Sequence, residues 1–168
     1  MCRDHHVGDL LLCLESWLAR ERGPPSAGGQ PWRLEGLDLA RNGLSDESVA
    51  RILERLNQLD LRIRHLNLDS NLMCTKGMRA LAEYIWNCQE PLFEIGMAGN
   101  SIIVQASDTG DDPVSNLLRC LYNHPAYPLK SLLGESTRVT PLVIRLGRNF
   151  IADCGGLLSK IRDRGGPG

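Results

Sequence analysis

Cys2, Asp4, His5 and His6 crowd four metal-competent side chains into the first six residues of a 168-residue chain. A thiolate, a carboxylate and imidazole nitrogens are all ligands for zinc, but structural sites draw them from two separated pairs. Adjacent histidines also point apart on most backbones, so the segment reads as a polar terminus. Neither a metal nor another cofactor is expected. Nucleophilic chemistry finds as little support. His65 could be imagined beside Asp38 or Asp69, yet no serine or cysteine nucleophile is indicated next to it. The sequence contains no Gly-x-Ser-x-Gly and no phosphate-binding glycine loop, so no enzyme is expected.

Regular spacing belongs to another polar residue, asparagine. Asn42, Asn71, Asn100 and Asn149 each end the same template, Leu-x-x-Leu-x-Leu-x-x-Asn-x-Leu. The apolar slots hold Leu34, Leu37, Leu39 and Leu44, then Ile63, Leu66, Leu68 and Met73, then Leu92, Ile95, Met97 and Ile102. A fourth copy holds Pro141, Ile144, Leu146 and Ile151. The first three start 29 residues apart and the fourth starts 49 residues after the third, which is 29 plus an insertion of 20. Self-similarity at such a period marks a stacked repeat. Leu37 and Leu39, two apart, point to one face of an extended chain. An asparagine amide offers donors and an acceptor, so stacked asparagines can satisfy backbone groups left unpaired where the chain bends.

Each short strand leads into helix-period sequence. Val49, Ile52, Leu53 and Leu56 form one apolar stripe, repeated by Met78, Leu81, Ala82 and Ile85 and by Val114, Leu117, Leu118 and Leu121. Asp112 before Pro113 supplies an N-cap and a first-turn proline for the third of these helices. Seven inserted residues precede it and 13 follow, within the stretch from His124 to Thr140. Residues 7 to 22, with Val7, Leu10, Leu11 and Leu14, read as a leading helix, and the Gly/Pro-rich stretch 23–31 as a linker. Cys154, Leu157, Leu158 and Ile161 make a shortened last helix before a closing tail. Terminal units of this kind cover the ends of a stack. Asn42-Gly43 alone signals a hairpin, but Ser45-Asp46-Glu47 and a helix stripe follow it instead of a second strand.

The strand–turn–helix unit resembles the leucine-rich repeat, in its ribonuclease-inhibitor-like subclass, over about residues 34 to 162. The resemblance implies an α/β fold: a right-handed solenoid of about four repeats with helical end caps, parallel strands on the concave face and helices on the convex face. Residues 1–33 are then an N-terminal cap and linker, 34–162 the repeats with a loop inserted at about 124–140, and 163–168 a disordered tail. Pro141 in place of the first leucine, and the insertion, depart from the pattern.

Composition bounds the function. One domain is expected at this length. A net charge of −1 removes the electrostatic case for general nucleic-acid binding. Arg33, Arg41, Arg62, Arg64, Arg145 and Arg148 near the strand side read as a solvated rim. Six cysteines without paired spacing suggest a reducing compartment, with Cys13, Cys88 and Cys120 as small apolar fillers on or beside helix stripes. No stretch approaches membrane-spanning length, and the early apolar run is too short and interrupted for a secretory signal. Cytoplasm or nucleus is expected, and no membrane association.

With Leu37 and Leu39 inward, the residues between them face out, and stacking builds three columns. The first is Gly36, His65, Glu94 and Val143; the second Asp38, Asn67, Gly96 and Arg145; the third Ala40, Asp69, Ala98 and Gly147. Asp38, His65, Asn67, Asp69, Glu94 and Arg145 are the candidate contacts for another protein, on a surface running from acidic to basic. Tyr122 and Tyr127, in or beside the proline-bearing insertion, are the second candidate surface. The expected function is a non-catalytic, monomeric protein–protein interaction module. The alternative comes from the resemblance alone: the subclass includes Ran GTPase-activating proteins, so Arg41 or Arg148 would act on an enzyme-bound nucleotide.

Overall fold

Residues 4–22, 32–88, 90–105, 112–127, 129–133, 136–156 and 159 are described by a computed structural model, with 129–133 and 136–140 described by backbone alone. The linker 23–31, Cys2, Leu157, Leu158, Ile161 and the tail 163–168 lie outside the described residues. A single 3-10 turn, Asp4–His6, leads into helix α1 (Val7–Arg22), strand β1 (Trp32–Asp38), α2 (Asp46–Gln58), β2 (Leu61–Asn67), α3 (Thr75–Asn87) and β3 (Glu94–Gly96). Then come β4 (Ile103–Val104), α4 (Pro113–Asn123), β5 (Leu129–Leu133), β6 (Ser136–Thr140), β7 (Val143–Arg145) and β8 (Phe150–Ile151).

The result is a mixed α/β fold with a parallel four-stranded sheet, ordered β1-β2-β3-β7. Its register follows the sequence period. Leu37 lies opposite Leu66, Leu66 opposite Ile95, and Ile95 opposite Ile144. These residues point to the side where the helices pack, α1 against α2, α2 against α3 and α3 against α4. The helical stripes meet them there: Val49, Ile52, Leu53, Leu56, Met78, Leu81, Ile85, Val114 and Leu117 are all buried. A second, shorter parallel ladder joins β4 to β8, with Ile103 opposite Phe150.

Where each strand ends, the asparagines carry the backbone around the bend. Asn71 is buried. Its amide donates to the carbonyls of Leu39 (3.0 Å) and Leu68 (3.1 Å), and its oxygen accepts from the N–H groups of Leu44 (3.0 Å) and Asn42 (3.2 Å). Asn100 repeats this one unit later, donating to Leu68 and Met97 and accepting from Met73. Asn149 donates to Met97 and Leu146 and accepts from Asn100 and Ile102. Each amide thus ties its own bend to the preceding one, satisfying polar groups that would otherwise be buried unpaired.

The helix starts are capped partly by neighbours. Ser45 caps α2, its hydroxyl accepting from Ser48 N–H (3.2 Å). Cys74 offers α3 no side-chain cap. Asp46, in the first turn of α2, does so across the stack: its carboxylate accepts from the N–H groups of Cys74 (2.6 Å), Gly77 (2.7 Å) and Lys76 (2.9 Å). A Cβ at position 77 would lie 2.6 Å from Met73 Cγ and 2.9 Å from that carboxylate, which is why glycine stands there. Asp4 reaches Ser45 N–H in the same way (2.8 Å). Asp112 caps α4 itself, accepting from Ser115 N–H (2.8 Å), with Pro113 in the first turn.

Two expectations are corrected. The stretch following His124 is not a plain loop, because β5 and β6 pair antiparallel from Leu129–Thr140 to Leu133–Ser136. Thr137, Val139 and Thr140 are β-branched and suit a strand. Among the cysteines, Cys88 is buried and Cys120 half-buried, whereas Cys13 is exposed on α1. Helical spacing placed Cys13 beside the stripe without deciding which side of its edge it takes.

Candidate functional site: the outward face of the sheet

Alternation along β1, β2, β3 and β7 sends every second side chain away from the helices. The pairings Gly36–His65–Glu94–Val143 and Asp38–Asn67–Gly96–Arg145 are adjacent rows of the sheet. A third row lies at the bends, where Arg41 N–H reaches Asp69 O, Ser70 N–H reaches Ala98 O and Gly99 N–H reaches Gly147 O. Asp38, His65, Asn67, Asp69, Glu94 and Arg145 therefore share one surface. Of these, Asp38, His65 and Arg145 are exposed and the other three half-buried. No described strand or helix pairs with or packs across this face.

The charges on it are organised. Arg145 is exposed, but it does not stand as an unpaired basic end of the surface, as the sequence suggests. It folds back over Gly96 to pair with Glu94 and with Asp69 (3.4 Å). Gly96 permits this, since a Cβ there would stand 2.6 Å from Arg145 Nη2 and 2.7 Å from Asp69 Oδ1. Asp69 also accepts from Ala98 N–H (2.8 Å). Asp38 and Asn67 each accept from the backbone two residues on, at Ala40 (2.9 Å) and Asp69 (3.1 Å), which holds them upright at the strand ends. His65 stands between two carboxylates, Glu35 (3.7 Å from Nε2) and Glu94 (3.5 Å from Nδ1), with its ring stacked near Phe93. Arg64 lies over the Phe93 ring and pairs with Glu35 (3.3 Å).

The sequence reading placed Arg64 near the strand side as part of a solvated rim, but missed Glu35 and Phe93, its partners on this surface. The three fill equivalent positions 29 residues apart, so the repeat itself carried the signal. The missed pairing of Arg145 was signalled by Gly96, the small residue between its charged partners.

The two tyrosines are not brought onto this face. Tyr122 lies on the last turn of α4, 60% exposed among the helices. Tyr127 turns inward. Its hydroxyl accepts from Leu92 N–H (2.9 Å), its ring meets buried His124 edge-on, and burial pushes its phenol well above the ordinary value. The side chain read as a loop contact instead anchors the start of the insertion to the strand β3 segment.

Among the described residues, no group of three or more His, Cys, Asp or Glu side chains is arranged to hold a metal ion. Nor is any described helix long and apolar enough to cross a membrane. No protein-family model matches the chain, and no curated protein matches its sequence. The geometry alone therefore has to carry the functional reading.

Proposed function

We propose that this chain is a leucine-rich-repeat module of the ribonuclease-inhibitor-like kind, with a non-catalytic role: it binds another protein on the concave face formed by its parallel strands. The observation that carries this is the contrast between the two sides of the sheet. One side is sealed by four helices, while the other presents fixed, mostly polar side chains to solvent. A surface whose side chains are held by their own ion pairs and backbone bonds loses little conformational freedom on binding, which favours specific docking. No Trp or Tyr stands in the outward rows, and Phe93 lies at their edge beside the His65 ring. Such a face lacks the large anchors that dominate tight interfaces, so its recognition rests on polar complementarity and modest affinity.

The test compares the proteins captured from a cytosolic extract by the wild-type chain and by an Asp38→Arg/Asn67→Arg variant. Matched circular dichroism and thermal unfolding establish first that both are folded. Partners retained by the wild type and lost by the variant support the reading, and identical sets overturn it.

A further inference from the structure

At the carboxyl ends of the four strands, the bends place Arg41, Ser70, Gly99 and Arg148 in the left-handed backbone region, with φ of 59°, 57°, 67° and 57°. Glycine adopts this conformation freely, whereas an L side chain raises its energy by about 1–2 kcal/mol. The repeat imposes the conformation, so its geometry does not explain why two of the four slots hold arginine. These two arginines border a groove of about 470 Å³, floored by Ala40, Ala98 and Gly99 and walled by Asp38 and Asp69. Both are exposed, and among the described residues neither forms an ion pair. Asp69 shares Arg145 with the nearer Glu94 and accepts from Ala98 N–H, and Asp38 accepts from Ala40 N–H. Arg41 and Arg148 are therefore the charged groups of the groove left without a partner among the described residues.

We infer that this groove seats an extended acidic segment of a partner protein, with one carboxylate on Arg41 and a second on Arg148. The inference rests on the proposed docking role of the sheet face and names the chemistry that would occupy its rim. Adjacent strands lie roughly 4.8 Å apart, so three steps from β1 to β7 separate the two backbone positions by about 14 Å. An extended chain advances roughly 3.3 Å per residue, which puts the two acidic residues at i and i+4. A single dianionic group would have to span that distance above Asp38 and Asp69. Two separate monoanions do not, and the small residues of the floor leave room for the chain between them. A basic segment would meet an arginine at each end.

Fluorescence anisotropy with synthetic peptides tests this on the full chain. The probe is a Gly/Ser decapeptide carrying two glutamates four residues apart. The comparison peptides carry two glutamates two apart, two lysines four apart, or one phosphoserine. The i, i+4 peptide is expected to bind best, with affinity falling as salt rises. Arg41→Gly/Arg148→Gly is compatible with the left-handed backbone and removes both cationic side chains. It should weaken this peptide by tenfold or more, roughly the loss expected on removing charged interface pairs. Equal binding of the three anionic peptides, tighter binding of the lysine peptide, or no effect of the glycine variant overturns the inference. Extract capture by the same variant separates the two levels. Partners kept by Arg41→Gly/Arg148→Gly but lost by Asp38→Arg/Asn67→Arg refute the acidic segment and leave the sheet face standing. Partners kept by both variants refute both.

Discussion

A buried asparagine that serves two bends at once concentrates much stability in one side chain. Replacing Asn71 with alanine leaves the N–H groups of Leu44 and Asn42 without their acceptor and takes one of two amide donors from Leu39 O and Leu68 O, at a site closed to solvent. Each buried polar group left unpaired costs about 1–3 kcal/mol, so Asn71→Ala should destabilise by about 2–3 kcal/mol in urea unfolding. Asn42 is half-buried rather than buried, and its amide donates to its own bend at Leu39 O and Ala40 O, so Asn42→Ala should cost less. Gly96 makes the opposite case, a residue whose absent side chain matters. Gly96→Ala forces Arg145 off Glu94 and Asp69, but those pairs are solvent-facing and contribute only about 0–1 kcal/mol each. Urea unfolding should shift little, while the Arg145 side-chain resonances move. The asparagines were legible in the sequence because their spacing was regular and their chemistry suits a bend. The course of Arg145 was not, because a long side chain chooses among carboxylates in two neighbouring strands and alternation gives only the side from which it starts.

Elements in this fold borrow their ends from one another. Asp46 belongs to α2 by sequence, yet it satisfies three N–H groups at the start of α3. Removing it should behave like loss of a strong N-cap, about 1–2 kcal/mol. Hydrogen exchange should speed up at Cys74, Lys76 and Gly77 while the interior of α2 stays protected. Asp4 gives the same service to Ser45, and this makes it responsive to acid. The Ser45 N–H, helped by the Ser48 hydroxyl, holds the Asp4 carboxyl below its ordinary value. A carboxyl depressed in the folded state stabilises the fold above its unfolded value, and that stabilisation is lost as pH falls through the lower folded value. Asp4→Asn should therefore lower the melting temperature at neutral pH and converge with wild type in strong acid. Helix stripes were readable from period alone, as Val49, Ile52, Leu53 and Leu56 show by their burial. Trans-capping was not, since Asp46 looks like an ordinary acidic first-turn residue. The β5–β6 hairpin also escaped notice, because Pro125 and Pro128 just before it read as loop and its strands follow no repeat.

Over the whole molecule, the same slot carries different weight according to its place in the stack. Leu37, Leu66, Ile95 and Ile144 are one row, but Leu66 and Ile95 are buried while Leu37 and Ile144 are only half-buried. The row through Leu39, Leu68, Met97 and Leu146 differs less evenly: only Leu146 loses full burial, although β1 and β7 are both edge strands. In a linear stack each unit is held chiefly by its neighbours, so central units gain two interfaces and terminal units one. A cavity at Ile95 is enclosed on both sides, and Ile95→Ala should cost about 3–4 kcal/mol, within the usual range for buried aliphatic truncation. Ile144→Ala removes the same atoms from a site already partly hydrated, and should cost about half as much. Native-state hydrogen exchange should order the units likewise, with β2 and β3 opening last and β7 opening first. Equal costs at Ile95 and Ile144, measured by urea unfolding, would mean that stability spreads evenly through the chain instead of declining toward this end. The proposed docking face spans all four strands, and Arg148 stands just beyond β7, the edge strand. Loosening of β7 should therefore weaken the groove before the remainder of the sheet unfolds, so Ile144→Ala is expected to reduce acidic-peptide affinity even though it touches no groove residue.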